Sequence, residues 1–153
     1  MGLTIVLGYD GSDCARAALA RTASLLKTCG GGKAVVVVAY PLSVGYVPPG
    51  MSTPPALMGN ELQGHIDMLE ESARAQAEEA AGELRAAGIE VETEVAVDSP
   101  ADALLDAAGR HSADLIAIGT HGEGAISGAL LGSTPYRLVH RSRRPLLIVP
   151  LRD

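Results

Sequence analysis

Five short apolar runs alternate along the chain with longer segments of helical periodicity. The runs cover residues 3–8, 33–40, 89–97, 114–119 and 145–151. The second run, KAVVVVAY, is apolar at almost every position, which is typical of a strand covered on both faces. Strands that alternate with helices favour right-handed βαβ crossovers and a parallel sheet. The pattern therefore predicts an α/β fold, a single doubly wound five-stranded parallel sheet with helices on both faces.

The segments between these runs have the periodicity or the capping residues of helices. The expected helices cover residues 13–27, 61–87, 100–111 and 135–141. Ser12 is the expected cap of the first helix, and Ser99 caps the third, with Pro100 in its first turn. Residues 41–59 contain five of the nine prolines and no charged residue. We expect an irregular surface loop there.

The composition bounds the class of protein. At 153 residues the chain has the size of one domain, expected to cover 1–153. A net charge of -6 would repel the phosphate backbone of nucleic acid, which is therefore not an expected partner. The chain has one tight basic cluster, at residues 141–144, which we interpret as the cationic last turn of a helix. No signal-peptide pattern or membrane-length apolar segment is visible, so we expect a cytoplasmic protein with no membrane contact; its two cysteines support no metal site.

The predicted topology selects where a ligand would bind. In doubly wound sheets, ligands lie beyond the carboxyl ends of the strands, where the winding reverses. One of the stretches at this edge, residues 118–134, reads IGTHGEGAISGALLGST and contains five glycines. Glycines let backbone N–H groups approach an anion, and a following helix N-terminus adds donors and a dipole, so phosphate binding is one interpretation. The other is that Thr134 caps a helix with Pro135 at its first position, without any ligand.

Two common phosphate motifs are missing from this stretch. A P-loop requires a lysine, and the chain has only Lys27 and Lys33, which flank a different loop. No G-x-G-x-x-G opens the first βα unit either. If a bound phosphate were hydrolysed, backbone dipoles, Mg²⁺ or an arginine from elsewhere would have to stabilise the negative charge of the transition state. Binding of phosphate is thus easier to support than fast hydrolysis.

The glycine spacing is similar to a family signature. Gly119-x2-Gly122-x9-Gly132-Ser133 matches G-x2-G-x9-G-[ST], the ATP-binding signature of the universal stress protein family. The resemblance extends over essentially the whole chain, from IVLGYDGSD through DLIAIGTHG to RRPLLIVP. It implies a Rossmann-like fold of the adenine nucleotide α-hydrolase type with strand order 3-2-1-4-5, and ATP with Mg²⁺ as the ligand. It also implies a homodimer through Leu146–Val149, which would otherwise be an unpaired apolar edge.

The same resemblance implies a set of site residues: Tyr9, Asp10, Ala39, Ile118, Gly119, His121, Gly122, Gly132, Ser133 and Thr134. Asp10 and the backbone near Ala39 would hold the adenine side, while the stretch that ends at Thr134 would close over the phosphates. Local roles remain open for several members. Asp10 could form an Asx-turn with the amides that follow it, His121 could be an ordinary loop histidine, and Tyr9, like Tyr40, could pack locally rather than flank an adenine.

Three functions follow as alternatives. The first is an ATP-binding regulatory protein of the stress response with slow or no hydrolysis. The second is a nucleotide-independent dimeric interaction module, and the third an adenylating or pyrophosphate-cleaving enzyme. Against the third, Asp10-Gly11-Ser12-Asp13 stands where a pyrophosphate loop of the S-G-G-x-D-S type would be.

Pro135 is a departure from the family pattern, because a residue with an amide usually occupies this position.

Overall fold

The computed structural model describes residues 2–41, 55–122 and 131–151. Along these ranges the elements are β1 (Leu3–Gly8), α1 (Asp13–Thr28), β2 (Gly32–Ala39), α2 (Pro55–Ala86), β3 (Glu90–Ala96), α3 (Pro100–Arg110), β4 (Leu115–Gly119), α4 (Ser133–Arg141) and β5 (Leu146–Val149). All strand pairs are parallel, and the order across the sheet is β3-β2-β1-β4-β5. The predicted fold class and strand order are confirmed.

The two faces of the sheet bury separate aliphatic clusters. On one face α1 and α2 pack against the strands, with Leu26 and Leu84 fully buried. On the opposite face α3 and α4 bury Leu104 and Leu138. Each such leucine contributes about 1.5–3 kcal/mol by leaving water. Because consecutive residues of β2 face opposite clusters, that strand is apolar at consecutive positions, as its sequence predicted.

The structure corrects the expected loop over residues 41–59. Helix α2 begins at Pro55, so the last five residues of that range are helical, and residues 42–54 lie outside the described part of the chain. Proline is tolerated in the first turn of a helix, where its missing N–H has no intrahelical partner anyway, so Pro55 does not mark a loop. Although α2 has 32 residues, no helix among the described ranges is long and apolar enough to cross a membrane.

The two edge strands differ in chemistry. On β3, two acidic side chains have partners: Glu92 forms an ion pair with Lys33 at 2.9 Å, and Glu94 forms an ion pair with Arg110 and a hydrogen bond with His111. Strand β5 at the opposite edge consists of four partly buried aliphatic residues, LLIV, and carries no charge. A charged edge resists pairing with another sheet, whereas an apolar edge favours it.

Candidate functional site

A cavity of about 470 Å³ lies at the carboxyl edge of the sheet, where β1, β2 and β4 end. This volume is typical of small-molecule sites, which span about 300–1,000 Å³. All ten site residues expected from the sequence line it: Tyr9, Asp10, Ala39, Ile118, Gly119, His121, Gly122, Gly132, Ser133 and Thr134. Order β2-β1-β4 makes this the point where the chain changes its direction of winding. The tertiary structure thus gathers three distant stretches into one crevice.

Asp10 connects the end of β1 to Gly122, which lies in the glycine-rich stretch of residues 118–134, called the glycine loop below. Its Oδ1 accepts a hydrogen bond from the Ser12 amide at 3.0 Å, which is the Asx-turn considered from the sequence. Its Oδ2 lies only 2.7 Å from the position that a Cβ on Gly122 would occupy. Any side chain at 122 would therefore displace the carboxylate. Asp10 has the local turn role and also lines the cavity, so the two interpretations are compatible.

The signature glycines 119 and 132 serve different contacts. A Cβ on Gly119 would come within 2.6 Å of Cys14 Cβ and 2.8 Å of the Cys14 carbonyl oxygen, so this glycine permits α1 to pack on β4. The amide of Gly132 donates to the Thr120 carbonyl at 2.7 Å and holds the two ends of the glycine loop together. Gly119 was expected to cradle a phosphate because it lacks a side chain. The structure shows that its missing side chain makes room for the neighbouring helix.

The N-terminus of α4 also differs from the expectation. Gly132, not Thr134, is the N-cap, so Ser133 is the first helical residue and Pro135 the third. The expected cap at Thr134 with Pro135 at the first position is therefore wrong. As a glycine, the cap has no side chain to accept from the helix amides. The open end of α4 faces the cavity, with Ser133 and Thr134 on its wall.

The N-termini of α1 and α3, which also lie at the cavity, are closed by serine side chains. Ser12 Oγ accepts from the Ala15 amide at 3.2 Å at the start of α1. Ser99 Oγ accepts from the Asp102 amide at 3.3 Å at the start of α3. Both caps were predicted from the sequence and are confirmed. Of the three helix N-termini at the cavity edge, α4 alone lacks a side-chain cap.

The two tyrosines at the strand ends lie in different places. Tyr9 lines the main cavity, but it is only 4% exposed and belongs to the core cluster beneath α1 and α2. Burial raises the pKa of its phenol. Tyr40 lines a separate cavity between α2 and β3, so it cannot flank a ligand in the main one. For both tyrosines, local packing is the better description.

The expected set of site residues leaves out eight lining residues: Gly8, Ser12, Ala15, Val37, Pro100, Leu104, Leu131 and Pro135. Gly8 could have been found, since it ends β1 at the predicted edge; there a Cβ would lie 3.0 Å from Leu104 Cδ1. Pro100 and Leu104 could not have been found from local patterns. They reach the cavity because α3 crosses the sheet next to β1.

The cavity has an unusual charge balance for a site that would hold phosphates. Asp10 is the single Asp or Glu among its described lining residues, and none of them is a lysine or arginine. His121 lies on the wall with Nδ1 3.1 Å from Thr120 Oγ1. Within the described ranges, no cluster of three His, Cys, Asp or Glu side chains could hold a metal ion. Among these described residues, backbone amides and hydroxyl groups, rather than lysine or arginine side chains, would contact an anion.

Comparison with known proteins identifies the family of this chain. The model of the universal stress protein family matches residues 1–150. The chain belongs to that family. A universal stress protein of Thermus aquaticus, encoded in the QAH/OAS sulfhydrylase 3' region, is 34% identical over 147 residues, which is 95% of this chain and 97% of that protein.

Solved structures show the same fold in other universal stress proteins and a related chain. Hypothetical protein MJ0577 superposes with a TM-score of 0.84 at 22% identity, over 100% of this chain and 99% of that chain. A universal stress protein crystallised in complex with cAMP has a TM-score of 0.67 at 29% identity, with 97% of each chain covered. The chain therefore shares its fold with a universal stress protein that has been solved with cAMP, an adenine nucleotide.

Proposed function

We propose that this universal stress protein binds an adenine nucleotide, ATP in the first instance, and acts as a nucleotide-dependent regulatory module with slow or no hydrolysis. The observation that carries the proposal is the uncapped N-terminus of α4, which opens into the cavity beside the complete glycine signature. Helix N-termini bind anions through their free amides and dipole. Ser133 and Thr134 would hold phosphate there, and Gly122 lines the same cavity.

The end of β2 supports adenine as the base. Val37 accepts from the Tyr9 amide at 3.0 Å, so the polar backbone groups of Val37 face β1. Backbone groups of a strand alternate in direction, so those of Ala39 face the same side, two residues further on. The register between β1 and β2 ends at Gly8, opposite Val37. A neighbouring N–H and C=O at Ala39 match the donor and acceptor on the edge of an adenine ring.

The absence of cationic side chains among the described lining residues supports binding without rapid hydrolysis. Phosphoryl transfer depends on positive groups that stabilise charge as it develops. A Mg²⁺ ion would be bound mainly by the phosphates and water, as is usual for this ion. Asp10 is the single carboxylate among the described lining residues. The relative solved with cAMP supports an adenine nucleotide as the ligand. It leaves the number of phosphates open.

Calorimetric titration of the full chain with ATP and Mg²⁺ tests the proposal. We expect saturable heat and a thermal shift that grows with nucleotide concentration. Mass spectrometry of protein denatured directly after purification would identify any nucleotide carried through. If millimolar ATP, AMP and cAMP all give no heat and no thermal shift, the chain is not a nucleotide-binding protein and the interaction-module alternative takes its place.

We also propose a homodimer through β5. The strand is at the edge of the sheet, is aliphatic throughout, and has no partner on its outer side among the described residues. Antiparallel pairing of Leu146–Val149 with a second copy would satisfy that edge. Analytical ultracentrifugation at tens of micromolar should give a dimer with and without nucleotide, and a monomer would contradict the proposal.

A further inference from the structure

A second cavity, of about 460 Å³, lies between α2 and β3 and is called the α2–β3 cavity below. Its described walls come from one face of α2, from alternate residues at the end of β3, and from Tyr40, directly after β2. It shares no described lining residue with the cavity at the carboxyl edge of the sheet. The volume is in the range of small-molecule sites, so a separate ligand can fit here.

Tyr40 brings an unsatisfied hydrogen-bond donor to this cavity. Its hydroxyl group is buried and has no partner among the described residues, and the whole residue is only 9% exposed. Buried hydroxyl groups normally have a hydrogen-bond partner, because burial without one is unfavourable. Burial, followed by the nearby charge of Glu70, raises the pKa of Tyr40. The phenol therefore keeps its proton at neutral pH and can donate a hydrogen bond to a ligand.

Charges of both signs lie beside this phenol. Arg74 Nε donates to Glu70 Oε1 at 3.1 Å, and Arg74 Nη2 donates to the same oxygen. This pair uses one carboxylate oxygen and two guanidinium nitrogens, so within the described ranges Glu70 Oε2 and Arg74 Nη1 are left for a ligand. Both side chains line the cavity and are partly exposed, so a ligand can reach them.

The remaining walls of the α2–β3 cavity are fixed or apolar. Glu78 Oε1 accepts from Thr93 Oγ1 at 3.0 Å, and Glu78 Oε2 accepts from Arg85 Nη1 at 3.0 Å, so both of its oxygens have protein donors. The bond to Thr93 also ties α2 to β3. Aliphatic contact is supplied by three further lining residues, Ala77, Val95 and Val97. The cavity thus combines an apolar wall with a free donor and an ion pair.

We propose that the α2–β3 cavity binds an α-amino acid with an aliphatic side chain, at a site separate from that of the nucleotide. The carboxylate of the amino acid would accept from the Tyr40 hydroxyl group and from Arg74, while its ammonium group would donate to Glu70. Its side chain would pack on Val95 and Val97. A ligand with a single charge would approach a like charge of the Glu70–Arg74 pair, whereas a zwitterion meets both signs.

Calorimetric titration of the full chain with L-leucine tests the ligand class, and two analogues each remove one charge. L-Leucinamide lacks the carboxylate, and isocaproate lacks the ammonium group. We expect saturable binding of L-leucine and about tenfold weaker binding of each analogue, since a hydrogen bond between charged groups is worth about that much. No saturable heat with L-leucine at about 10 mM, or equal affinity for the three compounds, would overturn the proposal.

Tyr40→Phe tests the role of the hydroxyl group, because it removes that group and keeps the ring. L-Leucine binding should weaken by about tenfold. Urea denaturation should show no loss of stability, because this hydroxyl group has no described protein partner to lose.

Tyr9→Phe is the matched control. Tyr9 is also a buried tyrosine whose hydroxyl group has no partner among the described residues, but it lines the cavity at the carboxyl edge. Its affinity for L-leucine should equal that of the unchanged protein. Unchanged L-leucine affinity in Tyr40→Phe, or an equal loss in both variants, would contradict the assignment of Tyr40. Titration of the unchanged protein with ATP is a separate measurement, so failure of the amino acid site and failure of the nucleotide function are distinguishable.

Discussion

Helices α3 and α4 begin at the same cavity, and their N-termini are built in opposite ways. At α3, the Ser99 hydroxyl donates to Asp102 Oδ2 at 2.5 Å and accepts from the Asp102 amide, so the end is closed by its own side chains. At α4, the cap is Gly132, which has no side chain to bond to the first amides of the helix. Both segments contain a proline in the first turn. A helix end that is capped by its own side chains has its amides satisfied, whereas an end without such a cap leaves amides that can bind an anion.

The largest expected effect comes from closing α4 in the manner of α3. Gly132→Asp would place a carboxylate over the amides of Ser133 and Thr134, where it competes with phosphate and repels it. We expect nucleotide affinity to fall on the order of a hundredfold, since opposed like charges cost several kcal/mol. Calorimetric titration measures the loss, and ultracentrifugation should still give the same oligomeric state.

Gly132→Ala separates the effect of the added carboxylate charge from the effect of the added side-chain bulk. Its Cβ would lie 3.0 Å from the Thr120 carbonyl oxygen, a tight but local contact. We expect a much smaller loss of affinity than for the aspartate. Equal losses for the two variants would show that crowding, and not capping of the helix end, controls binding.

A second change removes a donor from the open end without closing it. Ser133→Ala should weaken nucleotide binding by about tenfold, the value of one hydrogen bond to a charged oxygen. Because Ser133 is exposed and caps nothing, the free energy of unfolding should change by less than about 0.5 kcal/mol. Calorimetry measures the nucleotide affinity of the variant, and urea denaturation measures its free energy of unfolding. A large loss of stability with unchanged affinity would mean that Ser133 serves folding rather than binding.

Ser99→Ala is the counterpart at the closed end. Loss of this cap should lower the free energy of unfolding by about 1 kcal/mol, within the usual range for an N-cap serine. Nucleotide affinity should stay within about twofold, because the amides at this end are not offered to the ligand. If the variant bound nucleotide much more weakly at unchanged stability, the start of α3 would be part of the binding surface.

The smallest effect concerns the pH dependence of stability at the closed end. The hydrogen bond from the Ser99 hydroxyl, followed by that from Arg141, lowers the pKa of Asp102. The folded state therefore holds this proton less tightly than the unfolded chain. The contribution to stability is present above the ordinary aspartate pKa of about 3.9 and is lost as the pH falls through the lower folded value.

Ser99→Ala removes the larger of these two causes. Denaturation curves from pH 6 to pH 3 should show a shallower decline in stability for the variant than for the unchanged protein. Other acidic groups with lowered pKa values, Glu78 and Glu92, are the same in both proteins and do not affect the difference. Parallel curves would contradict the assignment.

Features controlled by short-range interactions were predictable. The caps at Ser12 and Ser99 depend on bonds three residues long, so local sequence was sufficient. The start of α4 was predicted wrongly because its cap is selected by the bond from Gly132 to Thr120, across the glycine loop. The start of α2 was missed because Pro55 is equally compatible with a loop and with a first helical turn.

The order of residues along the chain was enough to predict the alternation of strands and helices and the parallel sheet. The family resemblance added the residues that meet at the carboxyl edge. Periodicity and glycine spacing are carried by neighbouring residues, so they can be read along the chain. The chain had to be folded before it was visible that Gly119 makes room for Cys14 and that the Gly132 amide is bonded to the Thr120 carbonyl. The same holds for Tyr9 and Tyr40, which line different cavities. These outcomes depend on distances between groups far apart in sequence, and only packing of the helices on the sheet sets those distances.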